Sequence, residues 1–303
     1  MTKEQTLMDG EAWGLLILLS VLWGGAFFFA GVAVKELPPM TVVLIRVAVA
    51  ALLLLPLFWA MGHRLPHGLG AWWPFVVMGF LNNVLPFGLL FAGQTYVTVG
   101  LAAILNALTP LFTVLVMAGF GQERLSAARI VGVLLGVLGV VILTGFDGAG
   151  GAPMIGIVLC IAGAFSYGFA GLWGRLYLGG VAPVKSATCQ LICSSGIMAV
   201  AVAAYDQPWT LDMPGTGTVL SLLALAAFGT ALAYLVFFRI LVRAGASNVM
   251  LVTLLIPVSA MILGNLFLDE AIRAQEVIGA AVIGLGLLFI DGRILRWRTG
   301  RAA

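Results

Sequence analysis

Charged side chains are scarce in this sequence of 303 residues: Lys, Arg, Asp and Glu make up 9% of the chain, whereas 62% is hydrophobic. Soluble domains carry about 25% charged residues, so the sequence lacks the polar surface that a soluble fold of this size needs. A net charge of +3 over the whole chain excludes the basic stripe of a nucleic-acid-binding protein. Because intrinsic disorder requires low hydrophobicity, the composition predicts a protein embedded in a lipid bilayer.

Cysteine and histidine are also rare. Cys160, Cys189 and Cys193 lie within apolar runs, and His63 and His67, which are the only histidines, share one loop. A C-x-x-x-C spacing without a nearby His or carboxylate is a poor metal site, so we expect inert thiols and no metal or cofactor. The sequence also lacks an ATP-binding loop of the G-x-x-x-x-G-K-[ST] type, which argues against direct ATP drive.

Long apolar runs account for most of the chain. A helix needs about 20 apolar residues to cross the hydrocarbon core, and ten such runs follow one another with short connections. We therefore predict an all-α integral membrane protein without an appended soluble domain. The ten predicted transmembrane helices cover residues 12–33, 40–60, 72–92, 98–119, 126–146, 154–174, 183–204, 218–239, 247–267 and 275–293.

The positive residues predict the orientation of these helices. With a cytoplasmic N-terminus, Lys35 and Arg273 fall outside, Arg46 lies within helix 2, and the other twelve of the 15 Lys and Arg fall on or beside the cytoplasmic side. This positive-inside bias predicts that both termini are cytoplasmic. The twelve are Lys3, Arg64, Arg124, Arg129, Arg175, Lys185, Arg239, Arg243, Arg293, Arg296, Arg298 and Arg301.

An internal repeat emerges when the chain is shifted on itself by 147 residues. Helices 4 and 5 then align with helices 9 and 10, and the most informative matches involve rare residue types. Pro110 falls on Pro257, and Glu123, thirteen residues later in the next loop, falls on Glu270. The pattern indicates a duplicated five-helix unit.

The predicted units are residues 1–147 and 148–303. Because five crossings are an odd number, the second unit enters the membrane from the opposite face. Inverted repeats of this kind allow two mirror-related conformations, each open to one side, around a site near the membrane midplane. The alternative is a duplicated scaffold without transport activity.

Two stretches carry a resemblance to a known family. Residues 106–110 (NALTP), followed by an apolar run and residues 121–126 (GQERLS), resemble the EamA-type repeat of the drug/metabolite transporter superfamily. Residues 254–257 (LLIP) through 268–272 (LDEAI) resemble a degraded second copy, in which Thr253 replaces the repeat's asparagine. The resemblance extends over essentially the whole chain and implies ten helices in two inverted halves.

The resemblance further implies a multi-pass exporter of the bacterial inner membrane. Members of this superfamily export amino acids, other metabolites and cationic drugs. The aromatic-rich first half is most similar to the exporters of aromatic and neutral amino acids. The resemblance implies a small-molecule substrate and a monomer or homodimer, with no nucleic-acid partner.

The near absence of charge inside the spans narrows the substrate class. Helix 1 has no acid between Glu11 and Lys35, whereas small multidrug antiporters of the same superfamily use a membrane-embedded glutamate there. Phosphorylated substrates need Lys or Arg at the site, and the only candidate is Arg46. We expect Arg46 to extend to the external interface, with pairing to a substrate carboxylate or a helix end as the alternative. A zwitterionic or neutral substrate fits best.

Uncharged polar and aromatic residues within the spans are the candidate substrate-binding groups. An amide without a partner in hydrocarbon costs several kcal/mol, so these groups face other helices or water. They either bind substrate or join helices to one another, and the aromatic rings either line a cavity or pack in the core. The candidates are Trp23, Phe27, Asn82, Asn83, Phe87, Gln94, Asn106, Tyr167, Trp173, Tyr234, Phe238 and Thr253.

Prolines and glycines suggest where the bundle bends and where it packs closely. Pro86, Pro110 and Pro257 fall within spans, where a proline frees the carbonyl four residues earlier and kinks the helix, so we predict gating or kink roles for them. Helices 5 and 10 carry glycine stripes that predict a scaffold or dimer contact. The stripes comprise Gly132, Gly136, Gly139, Gly279, Gly284 and Gly286.

Together these features predict a secondary transporter that exports aromatic and other neutral amino acids, or similar small metabolites, by alternating access. A multidrug or cationic-compound exporter of the same superfamily is the main alternative. An integral membrane enzyme would need paired acids or metal ligands at membrane depth, and a passive channel would need a continuous polar face. Without a buried carboxylate or histidine for a proton relay, facilitated diffusion is the simplest hypothesis for energy coupling.

Overall fold

The computed structural model describes residues 9–144 and 153–291, which form helices without strands. The ten predicted membrane helices are confirmed: eight are long and apolar enough to cross a bilayer, and the last two are shorter. The boundary predicted between residues 147 and 148 lies outside the described residues. The helices are α1 (Gly10–Ala33), α2 (Pro39–Ala60), α3 (Trp73–Gln94), α4 (Val99–Gly119), α5 (Ala127–Thr144), α6 (Met154–Tyr177), α7 (Pro183–Tyr205), α8 (Thr216–Ala244), α9 (Val252–Leu268) and α10 (Ala274–Asp291).

Two helices change their hydrogen-bonding pattern in mid-span. Helix α3 contains a π-helical segment at Phe80–Val84, and helix α8 contains one at Ala227–Leu232. The two segments begin 147 positions apart, which is the offset of the internal repeat. A π-helical turn pairs residues five apart and leaves a local defect in the α-helical ladder, frequently at functional sites.

The packing of the helices follows the same two-fold relation. Helix α1 packs on α8 and α9, and its repeat-related partner α6 packs on α3 and α4. Helices α2 and α7 pack on each other, as do α5 and α10. The two halves therefore interdigitate, and most of the core is formed between them.

The three prolines lie within their predicted spans, in different local settings. Pro110 follows a break in α4, between Val99–Asn106 and Thr109–Gly119, and lies in the first turn of the second segment. Pro86 lies at the start of the α-helix that follows the π-helical segment of α3. Pro86 and Pro257 lie inside the spans of α3 and α9, where the missing N–H leaves an earlier carbonyl without its intrahelical donor. The gating or kink roles of the three prolines stay predictions.

At one end of the bundle, carboxylates from one half cap helices of the other half. Asp206, at the end of α7, accepts hydrogen bonds from the backbone N–H (2.9 Å) and the hydroxyl group (2.7 Å) of Thr41 in α2. Both carboxylate oxygens of Glu270 accept from the backbone N–H of Val99, at 3.1 and 3.0 Å. Anions are stabilised at helix N-termini because the first N–H groups lack intrahelical acceptors. We call this the Glu270 end.

A third cap of the same kind joins α1 to α8. The carboxylate of Glu36, which follows α1, accepts a hydrogen bond of 2.7 Å from the backbone N–H of Gly215, the residue that precedes α8. The Glu270 end is thus held by three helix caps that cross between the halves.

The opposite end, called the Glu123 end, is held by more exposed ion pairs. Glu123 pairs with Arg129 at 2.8 Å and with Arg175 at 3.4 Å. Arg243 binds Asp9, which precedes α1, and its guanidinium group lowers the pKa of that carboxyl group. Exposed ion pairs contribute little to stability, about 0–1 kcal/mol each.

The glycine stripes of α5 and α10 explain the tight packing of these helices on each other. A Cβ atom on Gly132 would lie 2.5 Å from the carbonyl oxygen of Gly286, and one on Gly286 would lie 2.6 Å from that of Gly132. Gly284 differs, because a Cβ there would meet only Leu254 Cδ2, at 3.5 Å. The stripes therefore form a contact within the chain, as the scaffold interpretation predicts.

Gly286→Ala should lower the stability of the protein by about 1–3 kcal/mol, because the added methyl group overlaps a backbone oxygen that cannot move aside. Gly284→Ala is the matched control, two residues away on the same helix, and should leave stability unchanged or slightly higher. Thermal unfolding of both purified variants in detergent measures the difference. Equal melting temperatures would contradict the close α5–α10 contact.

Candidate functional site

The π-helical segment of α3 presents two asparagine side chains to α7. The Nδ2 atom of Asn83 donates a hydrogen bond of 3.0 Å to Oγ of Ser194, and Nδ2 of Asn82 donates one of 3.2 Å to Oε1 of Gln190. Asn83, Gln190 and Ser194 are buried, whereas Asn82 remains partly accessible. These contacts satisfy amide groups that would otherwise be costly inside a membrane.

Backbone carbonyls in and before this segment receive side-chain donors. The carbonyl oxygen of Leu81 accepts from Oγ of Ser166 in α6 at 2.8 Å, and that of Gly79 accepts from Oγ of Ser194 at 3.1 Å. Irregular backbone at membrane depth persists only where such groups are satisfied by protein or water. Helices α6 and α7 thus stabilise the segment of α3.

The π-helical segment of α8 is stabilised by an arginine of α2. Nε of Arg46 donates a hydrogen bond of 2.9 Å to Oγ1 of Thr230, and Nη2 lies 3.5 Å from the carbonyl oxygen of Gly229. The hydroxyl group of Thr230 in turn donates to the carbonyl oxygen of Leu225 at 3.2 Å. Thr230 is 147 positions after Asn83, so equivalent positions bind a neutral side chain in one half and a cation in the other.

Each π-helical segment is followed by a stacked aromatic pair. The rings of Phe87 and Phe91 are 6.1 Å apart and inclined by 9°, and those of Tyr234 and Phe238 are 5.9 Å apart and inclined by 13°. The pairs are again related by 147 positions. The guanidinium carbon of Arg46 lies 3.7 Å from the centroid of the Phe87 ring, which is within range of a cation–π interaction.

Two tyrosines border this arrangement. Tyr167 of α6 and Tyr234 of α8 both pack against the buried core that includes Phe87. Both tyrosines retain partial accessibility. The polar groups and rings that meet between the two segments are called the central site: Arg46, Asn82, Asn83, Phe87, Tyr167, Gln190, Ser194, Thr230 and Tyr234.

The structure brings together some of the residues that the sequence predicts. Asn82, Asn83, Phe87, Tyr167 and Tyr234 belong to the central site. Phe238 stacks on Tyr234, and Trp23 is connected to it through Phe237, whose ring lies 5.5 Å from that of Phe238 and 5.7 Å from that of Trp23.

Trp173 and Gln94 are placed away from the central site. Nε1 of Trp173 donates to the carbonyl oxygen of Pro74 at 2.9 Å, and its ring packs against Trp73. Trp173 therefore faces the N-terminal end of α3 in this conformation, away from the central site, and its substrate-binding role stays a prediction. Nε2 of Gln94 donates to the carbonyl oxygen of Phe27 at 2.9 Å, which joins α1 to the end of α3.

Asn106 lies at the break in α4, and Thr253 lies in the first turn of α9. The carbonyl oxygen of Asn106, which the prediction left free for substrate, accepts from the hydroxyl group of Thr109 at 2.7 Å. The side-chain Oδ1 of Asn106 is buried without a partner among the described residues. The hydroxyl group of Thr253 donates to the carbonyl oxygen of Met250 at 2.7 Å. Neither residue contacts the central site through these bonds.

The sequence analysis did not name Gln190, Ser194 and Thr230 as candidates, and it gave Arg46 a role at the site only as an alternative. Arg46 is only 7% exposed, so its expected extension to the membrane interface is wrong. The internal repeat contained a usable signal, because the 147-residue offset places Asn83 on Thr230. Within the described residues, no cluster of His, Cys, Asp and Glu is suited to hold a metal ion.

Relatives and a solved structure share this architecture. The chain is 25% identical over 288 residues to a protein of Archaeoglobus fulgidus described as a transporter, covering 92% of this chain and 98% of the relative. It is 26% identical over 302 residues to a probable amino-acid metabolite efflux pump of Escherichia coli, covering 94% and 95%. A solved structure with 20% identity superposes with a TM-score of 0.66, covering 97% of this chain and all of that one.

The sequence model of one protein family matches the chain twice, at residues 12–145 and 154–291. The two matches correspond to α1–α5 and α6–α10, so the two-repeat membrane fold is that of the family. The relatives are membrane transporters, and Escherichia coli relatives are named inner membrane transporters. The chain is a multi-pass membrane protein and belongs to the EamA-like transporter family.

Proposed function

We propose that this protein is a secondary transporter that exports aromatic and other neutral amino acids, or similar small metabolites, across the bacterial inner membrane. The observation that carries the proposal is the central site. Two π-helical segments at equivalent positions of the two halves place amides, hydroxyl groups and stacked rings around one point. A site shared by both halves is what alternating access requires.

The chemistry of the central site matches a zwitterion with an apolar side chain. Asn82 and Gln190 offer amide oxygens and N–H groups, Tyr167 and Tyr234 offer hydroxyl groups, and Phe87 offers an aromatic surface. Small-molecule sites typically combine an apolar lining with a few polar groups that fix orientation. The name of the Escherichia coli efflux pump supports the same substrate class.

The main alternative, export of cationic compounds, is disfavoured by Arg46. A cation entering the central site would meet a buried guanidinium group at the ring of Phe87. The described residues supply no carboxylate that pairs with Arg46 and offsets this repulsion. Like charges at low dielectric cost several kcal/mol, so neutral and zwitterionic substrates fit better.

Alternating access requires the two ends of the bundle to open in turn. With both termini in the cytoplasm, the Glu270 end faces outward, and we propose that its three helix caps hold it closed in the resting conformation. The Glu123 end carries exposed ion pairs, which water can replace at little cost. Opening to the outside then requires the loss of caps such as Glu270 on Val99.

We propose that export is driven by the outward concentration gradient of the substrate alone, that is, by facilitated diffusion. No carboxylate or histidine among the described residues hydrogen-bonds a side chain of the central site. A proton relay through the central site therefore has no carboxylate or imidazole among these partners. Transport that continues after the pH gradient is collapsed supports this proposal, and complete loss contradicts it.

Purified protein in liposomes preloaded with unlabelled L-phenylalanine should take up labelled L-phenylalanine by exchange. Asn82→Leu should reduce the rate by about 10-fold or more, because it removes an amide from the site and leaves polar partners unsatisfied. Trp173→Phe is the matched control and should stay within about twofold of the wild-type rate. If no amino acid exchanges, including threonine, the substrate assignment fails, although the fold does not.

Glu270→Gln should make the central site more accessible from outside. Removing the charge that caps α4 destabilises the closed end by about 0.5–2 kcal/mol, so a membrane-impermeant maleimide should label a cysteine at position 82 several-fold faster.

The control is Glu123→Gln, the repeat-related change at the other end, which should leave external labelling of that cysteine nearly unchanged. Both changes are compared in an Asn82→Cys background without native cysteines. Equal labelling rates for the two variants, or a larger rise for Glu123→Gln, would contradict the proposed gate.

A further inference from the structure

Arg46 is the one buried cation of the central site, and its surroundings leave it incompletely bound. The side chain is 7% exposed, and it lies between the hydroxyl group of Thr230, the carbonyl oxygen of Gly229 and the ring of Phe87. Each of these partners is uncharged. The guanidinium group therefore carries a full positive charge among neutral groups.

The donors of Arg46 exceed the acceptors around it. A guanidinium group has five N–H donors, and hydrogen bonds to the described residues use one on Nε and one on Nη2. Nη1 forms no such bond, and it is not completely buried. It therefore retains a small accessible surface.

An unpaired cation in a membrane-spanning bundle is costly. Ionisable groups within membrane spans almost always pair with each other, with backbone carbonyls or with a ligand. The cation–π contact with Phe87 and the 3.5 Å approach to Gly229 offset only part of the desolvation penalty. A carboxylate placed at Nη1 supplies the missing charge, because guanidinium and carboxylate groups form strong, oriented hydrogen bonds.

We propose that Arg46 binds the carboxylate of the transported molecule and so selects carboxylate-bearing substrates. This inference rests on the proposed function and specifies its substrate class as amino acids with a free α-carboxylate. The carboxylate accepts hydrogen bonds from Nη1 of Arg46, while the apolar side chain packs on the neighbouring rings. The partly accessible side-chain amide of Asn82 is the acceptor that we assign to the substrate's ammonium group.

Only one half of the repeat supplies this charge. The 147-residue offset places Arg46 on Cys193, and the neighbouring Ser194 binds Asn83 at the equivalent π-helical segment. The carboxylate therefore has a single orientation in an otherwise two-fold related site. A purely structural role for Arg46, as the residue that holds the α8 segment, predicts no preference among ligands.

The test compares ligands that differ only at the carboxylate. L-phenylalanine, L-phenylalaninamide and phenethylamine are titrated by calorimetry into purified protein in detergent. Wild-type protein should bind L-phenylalanine at least about 10-fold more tightly than either of the other two, because a hydrogen bond to a charged group is worth that factor or more.

Arg46→Gln should abolish this preference, so that the ratio of affinities falls to about 1. Arg46→Lys retains the charge without the forked geometry and should retain part of the preference. Arg64→Gln, which removes a positive charge from an exposed loop, is the control and should keep the full ratio. Melting temperatures show which variants fold. If Arg46→Gln does not fold, the test rests on the ratio of affinities in Arg46→Lys and in the wild-type protein.

The outcomes separate this inference from the function on which it rests. Wild-type protein that binds L-phenylalanine and its amide equally overturns the role of Arg46 and leaves amino-acid transport standing. An unchanged preference in folded Arg46→Gln also overturns it. Wild-type protein that binds none of a panel of amino acids overturns the proposed function and this inference together.

Discussion

The need to satisfy every backbone polar group inside the membrane is the constraint on which the rest of this structure depends. Two helices depart from the α-helical pattern at Phe80–Val84 and Ala227–Leu232. Each departure leaves carbonyls that a neighbouring helix must bind, because lipid offers no donors. Ser166 and Ser194 serve the first segment, and Arg46 serves the second. The polar groups that we propose to bind substrate are thus the same groups that hold the helices together.

The two halves share a backbone plan and differ in chemistry. At the centre, Ser194 binds one π-helical segment and Arg46 binds the other. At the ends, Glu270 caps the N-terminus of α4, whereas the repeat-related Glu123 pairs with exposed arginines. Two-fold symmetry provides two equivalent conformations in principle, and these substitutions give them unequal energies. A carrier with a preferred resting state and a preferred substrate orientation follows from this asymmetry.

Much of the fold was predictable from the sequence, because bilayer thickness fixes the length of each apolar run. The spacing from Pro110 to Glu123 recurs from Pro257 to Glu270, and this recurrence predicted the repeat. Matches between such rare residue types are more informative than matches between Leu or Gly, which are frequent throughout the chain. Pro86 marks a break near the first π-helical segment, but the π-helical form itself was not predictable, since the extra residue depends on partners in other helices. The position of a residue along a helix predicts its depth in the membrane but not the direction in which its side chain points. The sequence therefore did not reveal that Trp173 faces Pro74 or that Arg46 is buried.

An experimental structure with L-phenylalanine bound tests the central claim most directly. The ligand should lie between the two π-helical segments, with its carboxylate at Arg46 and with groups from both halves in contact. A ligand bound by residues of one half alone, or seated beside Trp173 at the end of α3, would contradict a shared central site.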